Sequence, residues 1–204
     1  LGHTIVELRP SLVALTANEN SINDCIALTG LTLKNVAIKV FVDNKKVYDD
    51  FGEMLFTHFG ISGPAVLKIS SYLNKALADG EVEVVLDFLK DKSKDELSQL
   101  IRSNSNKTVL NNLKGILPQN FLKQIFEMLN LVEVKASDLK KEDEIKIISY
   151  IKEMKLTARE TLTIKAAQVT SGGVKVKEIN ASTMESKLIN NLYFAGEVID
   201  IDAE

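Results

Sequence analysis

The hydrophobic period of this chain changes twice, and that restricts the fold more than any other feature. From Leu31 to Val42 apolar residues alternate. Val36, Ile38, Val40 and Val42 share one face, and Ala37, Lys39 and Phe41 share the other, the two-residue period of a strand. Asp43-Asn44-Lys45 reads as a turn and Lys46-Val47-Tyr48 as the returning arm of a hairpin. Glu81 to Phe88 alternates again, with Val82, Val84, Leu86 and Phe88 facing inward. Then the spacing becomes helical. Ser93 and Glu96 form a capping box ahead of Leu97, Leu100 and Ile101. Thr108 to Leu113 suggests a second short helix. Pro118 opens a third, with Phe121, Leu122, Ile125, Met128 and Leu129 at helical spacing. Asp138 is the expected cap of a fourth, bearing Ile145, Ile148, Ile151 and Met154. Lys140, Lys141, Lys146 and Lys152 are balanced by Glu142, Asp143, Glu144 and Glu153, the pattern of a solvated face.

Strand period is expected again at Thr161 to Val169. A sharp turn at Thr170-Ser171-Gly172-Gly173 and a last strand at Leu192 to Ala195 follow. Before the hairpin, Leu8 to Leu15 reads as a short strand and Thr16 to Asp24 as a polar loop. Strands therefore bracket a helical insertion without regular β–α alternation. That predicts an α+β fold, a β-barrel-like sheet with an inserted helical subdomain.

One stretch joins these patterns to chemistry. In Gly52 to Pro64, Leu55 and Phe56 suit a strand and Thr57 and His58 stand at its end. Gly60 and Gly63 permit a sharp turn, and Pro64 fits the first position of a helix continuing through Val66, Leu67, Ile69 and Tyr72. Ser62 or Gly63 is the expected cap. Such a helix start attracts anions or the edge of an electron-rich ring. In isolation the same residues also make an ordinary Gly-Pro turn. Two further strand ends are followed by glycine, Thr170-Ser171-Gly172-Gly173 and Ala195-Gly196-Glu197. Glycine lets backbone approach a flat ligand, and an acidic residue after it can accept hydrogen bonds from ribityl hydroxyls.

Composition removes other classes. The net charge of −3 supplies no basic excess for nucleic acid. No apolar run reaches membrane-spanning length, so no membrane partner is expected. The single Cys25 excludes an intramolecular disulfide and suits a reducing compartment, so the expected location is cytoplasmic. It sits in a polar stretch without a neighbouring histidine and is read as a bystander. One cysteine and two histidines, His3 and His58, leave no zinc-ligand spacing, and no metal is expected. The phosphate-cradling G-x-G-x-x-G and the nucleophilic G-x-S-x-G are both missing.

The order of motifs resembles the bacterial NAD(P)/FAD-dependent oxidoreductases that include aminoacetone-oxidase-like flavoproteins. The resemblance rests on Gly2-His3-Thr4-Ile5 with Arg9-Pro10-Ser11-Leu12-Val13, and on Gly52 to Leu67. It continues in Ala167 to Val174, Thr183-Met184-Glu185-Ser186, and Leu192 to Asp202. It implies a substrate-side β-barrel in residues 1–90 and 155–191, a helical insertion in residues 91–154, and the start of a returning FAD-binding segment in residues 192–204. The rest of the FAD-binding domain would be a missing part of the same polypeptide. The resemblance implies FAD in the full-length protein and admits NAD(P), with neither held by this stretch alone. Gly196 and Glu197 would lie at the flavin ribityl chain or pyrophosphate, and Gly172 and Gly173 near the isoalloxazine. Thr57 and His58 would face the flavin from the substrate side, with His58 the candidate for proton transfer to a small-molecule substrate. The expected function is the substrate-side region of an FAD-dependent oxidoreductase, inactive alone. The alternative is a non-enzymatic β-barrel module that binds an anionic ligand or a protein partner.

Overall fold

The computed structural model describes residues 1–201, with Asn74 and Lys75 described by backbone only. Asp202, Ala203 and Glu204, the end of the expected returning segment, lie outside the described residues. The centre is a closed six-stranded antiparallel barrel. It is built from β2 (Leu15–Ala17), β5 (Gly60–Ser62), β4 (Lys45–Thr57), β3 (Thr32–Val42), β6 (Val82–Asp87) and β7 (Met154–Thr161), in that order around the ring. Closure leaves no free edge to recruit another chain. Asp43 and Asn44 both take positive φ, as a tight hairpin turn between β3 and β4 requires.

The alternation read from β3 and β6 is the alternation of the barrel wall. Ile38, Val40, Val82, Val84 and Leu86 are buried. Leu33 and Val36 are also both buried, although three residues apart. A register shift between them against β4 supplies the extra residue. Lys34 and Asn35 thus form a bulge, which lets two odd-spaced side chains point inward.

Between β6 and β7 the chain forms α3 (Lys94–Ile101), α4 (Val109–Asn112), α5 (Gln119–Met128) and α6 (Lys141–Lys152). The Ser93–Glu96 capping box is present in both directions. A line of aromatic contacts joins barrel to helices. Phe56 meets Phe88 at 6.2 Å between ring centroids, and Phe88 meets Phe121 at 4.7 Å. The two parts share one continuous core. A longer helix, α2 (Pro64–Asp79), follows its cap Gly63 and packs on β4, β5 and β7. Its buried Ser70 hydroxyl accepts a hydrogen bond from Val13 N–H at 2.9 Å and so pins the chain entering β2.

A second unit stands outside the barrel. β1 (Ile5–Ser11) pairs with β8 (Val169–Val174) in a two-stranded sheet. Val174, Ile179 and Ile199 form its small core, with Met184 and Phe194 against it.

Several expectations are corrected here. The strand expected over Leu8 to Leu15 is two strands, broken at Leu12, whose φ is 48°. The expected polar loop contains β2 and helix α1 (Ile22–Ala27), and Cys25 is fully buried in the barrel core. Thr161 to Val169 is not a strand. β7 ends at Thr161, and a single 3-10 turn at Ile164–Ala166 follows. Gly172 and Gly173 lie inside β8 rather than at a turn. Leu192 to Ala195 makes only an isolated bridge, Glu185 with Tyr193, because its sequence neighbours pair elsewhere. Asp138 does not cap α6, which begins at Lys141 after Lys140. On α6 the inward stripe is Glu144, Ile147 and Ile151, while Ile145 is exposed. Two supposed surface charges, Glu144 and Lys152, are buried ion-pair members.

Among the described residues no helix is long and apolar enough to cross a membrane. No group of three His, Cys, Asp or Glu side chains among them could hold a metal ion.

Candidate functional site

The outer lobe gathers most of the segments on which the resemblance rests. His3 Nε2 lies 2.8 Å from the Ser186 hydroxyl, and its ring meets Phe194 edge-on at 5.0 Å. Thr4 donates twice to Glu178, from its N–H at 2.8 Å and its hydroxyl at 2.6 Å. These two bonds hold the Glu178 carboxyl below its ordinary pKa. Lys175 N–H donates to Thr4 O, and Phe194 N–H to Met184 O. His3 and Glu178 therefore join the beginning of the chain to residues 178–194. The signal that could have revealed this is the recurrence of short polar side chains, Thr4, Thr183 and Ser186, which favour local backbone caps in irregular segments.

Within the lobe, β8 supports a 3-10 turn at Gly196–Val198. Val174 bridges Ile199, and Asp200 N–H donates to Val174 O at 3.0 Å. Gly173 is the hinge of this contact. Its φ is +125°, and a Cβ there would lie 2.4 Å from Val198 O. Gly172 is closed in the same way, 2.3 Å from Glu7 O. The closeness these glycines permit is taken up by the chain's own backbone. Gly196 differs, with φ +77°, an exposed position and open space where a Cβ would stand. Glu197 beside it is exposed. The structure thus packs β8, with Gly172 and Gly173 buried in it, against the turn that exposes Gly196 and Glu197.

Thr57 and His58 belong to the barrel. They stand where β4 turns into β5, and the Phe59 carbonyl after them accepts from Ala17 N–H of β2 at 2.9 Å. His58 is exposed, with its ring edge-on to Phe59 at 5.0 Å. The Thr57 hydroxyl is buried and has no hydrogen-bond partner. An unpaired buried hydroxyl costs about 1–3 kcal/mol. Thr57→Val keeps the shape and removes that cost, so it is expected to stabilise the protein by about 1 kcal/mol in urea unfolding. Destabilisation would mean that the hydroxyl has a partner after all.

Residues 9–169 match the HI0933-like protein barrel and H2TH domain. The chain belongs to the HI0933-like family. The match runs from β1 to the first residue of β8 and takes in the whole barrel and the helices between β6 and β7. Among similar proteins are the 3-dehydro-bile acid delta(4,6)-reductase of Clostridium scindens, 28% identical over 99% of this chain and 50% of its own length. The ribosomal RNA dihydrouridine synthase of Escherichia coli is 29% identical over 98% of this chain and 48% of its own length. That of Haemophilus influenzae is 31% identical over 98% and 47%. The chain spans about half the length of these curated relatives. Their likeness extends across the outer lobe, beyond the matched family domain.

Cys25 is chemically silent in this family member's barrel. Burial, with a smaller contribution from the Asp24 charge, pushes its thiol up to about 12. The thiolate is the reactive form. The native protein is therefore expected to resist an aromatic disulfide reagent at pH 8 and to react fully once unfolded. Rapid native labelling would show that α1 opens.

Proposed function

We propose that this chain is the substrate-side region of an FAD-dependent oxidoreductase, and that its outer lobe meets the flavin-bearing remainder of the polypeptide. The observation that carries this reading is the rim at residues 172–173 and 196–197. There one glycine stands open beside an exposed carboxylate, on a turn braced by two closed glycines. Exposed apolar side chains on the same lobe, Ile5, Leu8, Tyr193 and Val198, support a covering partner. A two-stranded sheet is marginal by itself and gains stability from such a cover.

Family membership supports the redox reading. The relatives' names, a delta(4,6)-reductase and a dihydrouridine synthase, share one chemistry, the addition of hydrogen across a ring carbon–carbon double bond. Bound FAD would supply the hydride, with NAD(P) as the source of its electrons. The chain's own residues bind, orient and protonate. Glu197 would accept hydrogen bonds from ribityl hydroxyls, and the open Gly196 would let backbone approach the group. Gly172 and Gly173 hold that turn in place. His58 delivers the proton, and Thr57 before it holds the β4–β5 turn that presents it to the substrate side.

The test is a visible absorption spectrum of the complete gene product beside residues 1–204 alone. Flavin bands in the complete protein only are expected. Absence of bands in both, with no uptake of added FAD, would overturn the reading. In the flavin-loaded enzyme, His58→Gln is expected to lower the reductive rate by about 100-fold, the lower end for a lost general acid. An unchanged rate would remove His58 from proton transfer.

A further inference from the structure

The outer lobe joins the barrel through two chain crossings, residues 12–14 and 162–168. Neither is regular. Leu12 takes a φ of 48°, and the second crossing holds the 3-10 turn at Ile164–Ala166. Two backbone bonds tie the crossings to each other, Gln168 N–H to Leu12 O at 3.3 Å and Leu162 N–H to Ala14 O at 3.0 Å. The lobe core of Val174, Ile179 and Ile199 is separate from the barrel core. Units joined so narrowly, with no shared apolar core, move relative to each other. Helix α2 supplies the fulcrum. It packs on the barrel strands and also touches β1. Near its middle, the buried Ser70 hydroxyl holds Val13 N–H of the first crossing at 2.9 Å. A cleft opens at each end of the helix. The larger, about 740 Å³, lies at its last turn, with Glu7 and Arg9 of β1, Leu77 of α2, Glu160 of β7 and Lys165 of the second crossing in its lining. The smaller, about 490 Å³, lies at its first turns, with Leu12 and Gln168 beside Pro64 and Leu67. Charges of both signs thus stand on each side of the larger cleft. Within β1, Arg9 pairs with Glu7 at 2.9 Å.

We propose that the outer lobe rocks on α2 about the Ser70–Val13 contact, so that closing the larger cleft opens the smaller. Closure exchanges the Glu7–Arg9 pair within β1 for Arg9–Glu160 and Glu7–Lys165 pairs across the cleft. Exposed ion pairs are weak and screened by salt. The two positions therefore lie close in energy and interconvert. The lobe carries Gly196 and Glu197, and the barrel carries His58. Rocking changes the spacing between them, which makes the movement a gate for substrate between flavin and proton donor. The gating role rests on the proposed oxidoreductase function; the movement does not.

The test is double electron–electron resonance on the complete gene product, with spin labels on Asp79→Cys at the end of α2 and on Lys177→Cys in the lobe. Both positions are exposed, and the fully buried Cys25 stays unlabelled. Two resolved distances are expected. Lys165→Glu sets a further carboxylate against Glu7 and Glu160, and is expected to shift the ratio about threefold toward the longer distance, the size of one or two exposed ion pairs. A single narrow distance overturns the proposal, as does a ratio unchanged in Lys165→Glu. Flavin bands are read on the same samples. Bands with one distance remove the rocking and leave the oxidoreductase function standing. Two distances in a protein that takes up no FAD keep the rocking and remove its gating role.

Discussion

Gly60→Ala is expected to open the barrel, at a cost of about 4 kcal/mol or more. A Cβ on Gly60 would stand 2.1 Å from Leu15 O, and 2.9 Å from both Ala17 N and Thr16 Cα. All three are backbone atoms, so no side chain can swing aside. The φ of +154° adds strain for any L-residue. Gly60 also sits at the seam. It pairs with Thr16 of β2 and with Thr57 of β4, and β2 and β5 are only three residues each. Separating them removes ring closure and displaces the Thr57–His58 turn. Gly80→Ala is the matched control. Nothing lies within 4 Å of its Cβ position, and a change within about 0.5 kcal/mol is expected. Urea unfolding of both variants checks this. Equal costs would show that the β2–β5 seam yields easily.

Arg102→Met will produce a stability loss of about 3 kcal/mol at neutral pH, concentrated in the helical block. Glu144 is only 1% exposed. It accepts from the Ser98 hydroxyl, from Arg102 Nε at 3.0 Å and from Arg102 Nη2 at 2.7 Å. Arg102 also donates to Ala136 O and Leu139 O, tying α3 to the segment before α6. Removing one partner of a buried pair leaves an uncompensated charge and costs about 3–5 kcal/mol. The lower end applies because the Arg102 side chain is 41% exposed, and solvent screens it.

The pH dependence has a definite sign. Burial alone would raise the Glu144 carboxyl. The Ser98 and Arg102 hydrogen bonds, with the Arg102 and Lys141 charges, outweigh it and hold the carboxyl low. The pair's contribution is therefore complete above the unfolded carboxyl pKa of about 4.3 and is lost as pH falls through the lower folded value. In Arg102→Met burial prevails and the carboxyl rises. The deficit relative to the natural protein will be largest near pH 7 and will narrow below about pH 4. Urea unfolding at pH 7 and pH 4 reads this difference. A pH-independent deficit would mean that Glu144 is not the group responsible.

Much of this architecture was legible because its signals are local. The alternation in β3 and β6, the Asp43–Asn44 turn, the Ser93–Glu96 box and the Gly63–Pro64 helix start each depend on a few adjacent residues. The errors lie where a distant partner decides. Leu192 to Ala195 has strand composition, but Phe194 is drawn to Met184 and His3. Gly172-Gly173 has turn composition, but pairing with β1 extends it. Glu144 matches a solvated face until Arg102 and Ser98 approach from α3. The rim is a parallel case. Its glycines could be read as ligand-facing, whereas the structure shows two of them packed against backbone and one open.

The sequence by itself determined that strands flank a helical insertion, where the main turns and caps fall, and which stretches carry the redox resemblance. Hydrophobic period, φ preference and side-chain capping act over a few residues and need no tertiary context. Only the tertiary structure decided that six short strands close into a ring and that β1 and β8 leave it to form a lobe. It also decided which charges are buried and which glycine stands open. Those outcomes depend on contacts between residues far apart in the chain, where strand registry and packing override local propensity.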